Sequence, residues 1–274
     1  MATINTNAGA MVALQNLNKT NADLAQVQTR ISTGLAVSSA KDNGGIYAIA
    51  QSMRADVAGY RAVNNSIDLA VSTVDVALAG GEAISDILIE MKEKALAGAD
   101  TSLDTASRTA LNEDFKALRD QIGTIVSNAE FNGTNLINNS VTNITALANA
   151  NGSNSITVLD ENLSLGGAVV TLAATASFGT AAAASTQATA IAASLDNLSA
   201  SLARLGTGSK SLEIHQTFVG KLSDALERGI GNLVDADLAK ESARLQSLQV
   251  KQQLGIQALS IANSAPSAIL GYFR

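Results

Sequence analysis

Ile191, Leu198, Leu205, Leu212, Val219, Leu226 and Leu233 follow one another at an unbroken spacing of seven residues. A straight helix of 3.6 residues per turn cannot keep such a stripe against a partner over that length, so the segment must supercoil gently around other helices. Leu195 and Leu202 supply a companion row, which Ser209, Gln216 and Ser223 thin out, and Gly206 and Gly208 read as an interruption that softens the helix. A second series, Ile46, Met53, Tyr60, Ile67 and Val74, runs beside Ala50, Val57, Asn64, Val71 and Leu78. Asn64 is its one polar member, and a lone Asn in such a seam can fix register. Leu111, Phe115, Leu118, Ile122 and Ile125 alternate steps of four and three. Together these segments predict a mainly α fold, an elongated antiparallel helical bundle or coiled coil.

Composition supports close-packed helices. Aromatic residues make up 3% of the chain, Trp is absent and Pro266 is the single proline, so almost nothing breaks a helix before the C-terminus. The pattern changes over 136–184. NNSVTNITALANANGSNS is rich in turn residues, while ITVL and AVVTLAA read as short strands separated by DENLSLGG. This stretch is expected to form a small β-hairpin-like tip, with the flanking helical segments running out to it and back.

The chain ends carry the most unusual pattern. Ala10, Leu17, Leu24 and Ile31 repeat every seven residues, with Ala13, Leu14 and Val27 beside them. Near the other end, Val234, Leu238, Leu245, Leu248, Ile256 and Leu259 share one arc of a helical wheel. Almost opposite lie Ala236, Ala239, Ala243, Val250, Leu254, Ile261 and Ala265. Lys240, Arg244 and Lys251 occupy one flank; Ser242, Gln246, Gln253 and Ser260 occupy the other. A helix apolar on two opposed faces must be covered on both. Antiparallel pairing with the N-terminal helix covers one; the other calls for further copies of the chain. Each large aliphatic side chain left in water forfeits roughly 1.5–3 kcal/mol. This terminal layer is therefore expected to be poorly ordered in a lone subunit and to order when copies stack.

Several function classes recede on composition. The net charge is −6 with scattered basic residues, which argues against nucleic acid as a partner. No apolar run reaches membrane-span length, so no membrane partner is expected. Zero cysteines exclude disulfides and thiolate ligands. The N-terminus lacks the basic start and apolar stretch of a cleavable signal peptide. His215 is the sole histidine and stands in IHQTF rather than HExxH, so the expectation is no catalytic residue, no metal and no cofactor. LGTGSKS, at 205–211, imitates a phosphate loop but lacks the adjacent Gly-Lys-Ser order and follows a helix, not a strand.

The residues also carry a resemblance. RISTGLAVSSAKDNGG (30–45), AEFNGTNLI (129–137) and the final NLVDADLAKESARLQSLQVKQQLGIQALSIANSAPSAILGYFR resemble bacterial flagellins. The likeness covers about 1–137 and 185–274, in the family's order. It implies an N-terminal inner-shell helix over 1–33 and an inter-shell linker over 34–45. Outer-shell helices would follow over 46–135, the insertion over 136–184, a returning outer-shell helix over 185–232 and a C-terminal inner-shell helix over 233–274. In the linker, Gly34, Gly44 and Gly45 would supply backbone freedom, while Ser38, Ser39, Lys41 and Asp42 offer polar contacts.

The function implied is a structural subunit that polymerises with itself into an open helical filament for swimming motility. It would be extracellular and exported without a cleaved signal peptide. Partners implied are an export chaperone, the type III export apparatus, and the hook–filament junction and cap proteins. A junction protein with similar ends is the nearer alternative; a soluble coiled-coil signalling rod is the one from another class.

Overall fold

With so few helix breakers, most of the chain is helical. The computed structural model describes residues 6–270 and side chains to residue 264. Ala265, Pro266 and the terminal Arg274 therefore lie outside the described side chains. Five helices and one strand pair occur in the order α1 (Ala8–Thr33), α2 (Gly44–Gly98), α3 (Thr105–Asn128), β1 (Asn143–Leu147), β2 (Ser155–Leu159), α4 (Ala181–Val234) and α5 (Leu238–Leu270). The fold is mainly α with a small antiparallel hairpin, in agreement with the heptad reading. Two compact units form. One comprises the described residues up to Ala55 and from Ala225 onward; the other is Asp56–Asp224. The dividing points fall inside α2 and α4.

Within Asp56–Asp224 the core follows the seven-residue stripe. Ile191, Leu198, Leu205, Leu212 and Val219 of α4 are all buried, as are Ile67, Val74, Ile84, Leu88 and Met91 of α2 and Phe115 and Ile122 of α3. The second buried row of α4 is not Leu195 and Leu202, which are only partly buried, but Ser194 and Ser201. Small residues bring the neighbouring chain close: the Ser194 hydroxyl accepts from the Thr171 N–H at 3.0 Å. Asn64 sits in the α2 seam with its Oδ1 buried and unpartnered.

The turn after α2 is held by polar groups at helix ends. Asp104 caps α3 by accepting from the Ser107 N–H at 2.8 Å, which satisfies one of the free donors of a first turn. Arg108 donates back to the Gly98, Asp100 and Leu103 carbonyls. After α3, Asn132 and Gly133 both take positive φ (49° and 79°), and Phe131 and Thr134 exchange backbone hydrogen bonds around them. This tight turn delivers the buried Leu136 and Ile137 to the core.

Two details of the insertion differ from the sequence expectation. AVVTLAA is not a strand; Val169, Val170 and Leu172 are buried there as irregular chain laid against α4. The first strand is instead NITAL, inside the turn-rich stretch, paired so that Ala146 faces Ile156 and Asn143 faces Leu159. α4 also runs unbroken through Gly206 and Gly208. Gly208 is no interruption: a Cβ there would come within 2.9 Å of Val158, so the glycine lets the hairpin lie on the helix. The sole histidine joins this contact, its Nε2 lying 2.7 Å from the Ala148 carbonyl. Arg204 adds a bidentate pair to the buried Glu161, both contacts 2.6 Å.

Candidate functional site: the terminal helix pair and its junction

The site is built by α1, the linker and α5. Asn7 starts α1 by accepting from the Ala10 N–H at 3.0 Å. Gly34 ends it in the left-handed region (φ 73°), donating to the Arg30 carbonyl at 2.9 Å, a conformation that glycine adopts without steric cost. The linker then zips onto the start of the return path. Ala36 N–H donates to the Val234 carbonyl at 2.7 Å and Ala236 N–H to the Gly34 carbonyl at 2.8 Å. A small apolar nucleus of Val37, Ala50 and Val234, edged by Leu35, Ile46 and Tyr47, lies beneath.

Asp42 closes the linker on itself. Its Oδ2 accepts from both the N–H and the hydroxyl of Ser38 (3.1 and 3.0 Å) and of Ser39 (3.0 and 3.1 Å). Led by the Ser38 hydroxyl, these donors hold the carboxyl below its usual range, because they stabilise the ionised form. Lys41 stands exposed. Of the three glycines expected to free the backbone, only Gly34 has a positive φ. Gly44 and Gly45 lie in the first turn of α2, where the Asn43 side chain accepts from the Ile46 N–H. The linker needs one left-handed residue, and the helix cap takes over where more freedom was expected.

Asp237 stands just before α5, and its Oδ1 accepts from the Ala239 and Lys240 N–H groups. It packs antiparallel on α1. Arg30 meets Glu241 at 3.0 Å, Asn21 meets Gln252 at 2.7 Å, and Asn7 donates to the Ala262 carbonyl at 2.6 Å. Leu17 rests over Gly255, where a Cβ would approach Leu17 Cδ1 to 3.3 Å. The α5 residues facing α1 step by fours and threes: Glu241, Leu245, Leu248, Gln252, Gly255, Leu259 and Ala262 are all buried or half-buried. Val27 is the best-buried residue of α1, and Leu17, Leu24 and Ile31 are half-buried. The ion pair is incomplete: Arg30 Nε and Glu241 Oε2 are both buried without a partner.

The remaining candidates are left facing solvent. Leu14, Leu238, Val250, Leu254, Ile256 and Ile261 are between 47% and 70% exposed. Leu238 and Ile256 therefore do not share the covered arc with Leu245, Leu248 and Leu259, as the wheel suggests. The stripe against α1 is narrow, centred on Leu248, and these two fall on its shoulder. Met11 and Val12 of α1, missed in the sequence because they sit off the seven-residue series, join the exposed set. Uncovered aliphatic surface on a well-formed helix pair marks a protein that uses this pair as an interaction surface.

Comparison with known proteins makes this specific. Residues 4–142 match the bacterial flagellin N-terminal helical region and residues 188–273 the bacterial flagellin C-terminal helical region. Flagellin FljM of Caulobacter vibrioides is 56% identical over 271 residues, covering 99% of this chain and 98% of that protein. A flagellin of Brucella melitensis is 36% identical over 294 residues, with full coverage of both. Among solved structures, a flagellar hook-associated protein from Vibrio parahaemolyticus superposes with a TM-score of 0.59 at 14% identity, over 71% of this chain and 100% of that one; at that identity it speaks for the fold alone. The chain belongs to the bacterial flagellin family, and it is a structural subunit of the flagellar filament.

Proposed function

We propose that the α1–α5 pair is the part of the subunit that stacks in the filament interior, with the uncovered faces of neighbouring copies covering one another. The observation that carries this reading is the exposure of Val250 (55%), Leu254 (58%) and Ile261 (70%) on one side of α5. Leu17, Leu24, Ile31, Leu245, Leu248 and Leu259 then act within one chain, fixing the pair. Leu14, Leu238, Val250, Leu254, Ile256 and Ile261 act between chains. The contact is heterologous and does not close, so it propagates as a fibre, and the fibre transmits rotation for swimming. Gly34, Ser38, Lys41, Asp42, Gly44 and Gly45 form the joint between this interior layer and the remaining helices. Family membership also supports export through the type III apparatus, escort by a chaperone, and end contacts with junction and cap proteins as part of this reading.

The test is seeded polymerisation of the full chain against a variant with Val250, Leu254 and Ile261 all replaced by Ser. These side chains contact solvent in one copy, so helix content should be retained. Losing roughly 1.5–3 kcal/mol for each buried aliphatic group should leave the variant in the supernatant after sedimentation while the unsubstituted chain pellets. Equal pelleting would overturn the reading.

A further inference from the structure

With no cysteine in the chain, sulfur chemistry falls to methionine, and the helices treat its thioethers unequally. Met91 is fully buried in the core of Asp56–Asp224. Met53 is half-buried, its Cε lying 2.8 Å from where a Cβ on Gly229 would stand. Met11 of α1 is 66% exposed. It stands three residues before Leu14, so the two share a side of the helix, and Leu14 is itself 47% exposed. No charged residue lies within four positions of Met11 along the chain; its neighbours are small, aliphatic or amide side chains. The thioether is therefore the one oxidisable group of this patch. It stands on the terminal helix pair, where apolar surface is left uncovered.

We propose that Met11 is a reversible oxidation site that controls entry of the subunit into the polymer: the thioether packs between copies and the sulfoxide does not. The inference rests on the reading of the α1–α5 pair as a surface between copies. A peroxide is the oxidant. One of its oxygens bonds to Met11 Sδ as the O–O bond breaks; the sulfur is oxidised, the peroxide is reduced, and with hydrogen peroxide both hydrogens leave in water. A flexible apolar side chain becomes a polar, chiral one, the change that disrupts methionine-bearing interfaces. Methionine sulfoxide reductases, one for each epimer, return the thioether. Susceptibility follows access, so a free subunit is open to this control and a packed one is shielded from it.

Hydrogen peroxide tests it, applied to dilute subunits and to finished filaments, with peptide mass spectrometry reading each methionine. In subunits Met11 should oxidise ahead of Met53 and Met91, and about tenfold faster than Met11 does in filaments. Treated subunits should leave about tenfold more chain in solution at equilibrium with seeded filaments, since one apolar side chain no longer gains from burial. The two reductases together should reverse this. Met11→Leu should leave the same soluble concentration with and without peroxide. Met11→Gln should match the oxidised chain without any peroxide, with helix content unchanged by circular dichroism. Equal oxidation of Met11 in subunits and filaments would overturn the proposal. So would assembly of Met11→Gln like the unsubstituted chain, or an equal loss of assembly in peroxide-treated Met11→Leu. If Met11→Gln assembles normally while the serine variant at Val250, Leu254 and Ile261 does not, this inference alone is wrong. Failure of the untreated chain to elongate would overturn the reading beneath it as well.

Discussion

Gly98 and Gly123 carry the same side chain in opposite surroundings. A Cβ on Gly98 would strike the Phe178 ring at 2.5–3.2 Å, and that ring is itself held edge-on against Phe115, centroids 5.2 Å apart. Gly123 is in mid-helix with nothing within 4 Å. Gly98→Ala should therefore cost about 1–3 kcal/mol through overpacking, while Gly123→Ala should stabilise by about 0.5–1 kcal/mol through helix propensity. Thermal unfolding of the two variants should shift in opposite directions. Asp42 is the other residue with a distinct signature. Its folded-state carboxyl titrates below the ordinary carboxylate value, so its contribution is fully present above that ordinary value and is lost as pH falls through the depressed one. Protection of the Ser38 and Ser39 amides, taken relative to their intrinsic exchange rate at each pH, should fall on acidification over that range. In Asp42→Asn that protection should be lower already at neutral pH and lack this acid step.

At the scale of elements, the α1–α5 pair holds a buried charge that only one contact satisfies. Removing a single partner of such a pair leaves the other desolvated and alone, whereas removing both leaves an apolar contact. Arg30→Met or Glu241→Met should each destabilise the pair by about 2–3 kcal/mol, the double variant by clearly less. Hydrogen exchange of residues 24–31 and 241–248 measures it. These helices were legible from their spacing because burial on one side imposes a period that the chain displays openly. Leu17, Leu24, Ile31, Leu245 and Leu248 show it plainly. Contacts made by small residues were not legible: Ser194 and Ser201 are buried and Gly208 half-buried in α4 because other segments lie on them, and a hydropathy pattern cannot register a neighbour from far along the chain. Hence Gly208 reads as a break when it is a seat for Val158. NITAL passed for a turn because only Ala146 of its five residues is fully buried.

For the whole molecule, the terminal pair is well formed yet incompletely covered: contrary to the expectation of poor order in a lone subunit, α1 and α5 are helical in the single chain and joined by Arg30–Glu241 and Asn21–Gln252. One side of α5 satisfies α1 through Leu245, Leu248 and Leu259; the other offers Val250, Leu254 and Ile261 to water. This double apolar character could be read from the sequence, since no single partner helix can cover two opposed faces. What could not be read is where the faces divide, because Ile256 and Leu238 belong to the shoulder and their assignment depends on the tilt at which α1 crosses. The chain has no cysteine, which permits a direct measurement. A thiol placed by Leu254→Cys should react quickly with a maleimide in dilute, unassembled subunits and roughly tenfold or more slowly in filaments, since thiol reactivity follows access. Equal rates in subunits and filaments would show that this face stays open in the polymer, and the account of α5 as a surface between copies would be wrong.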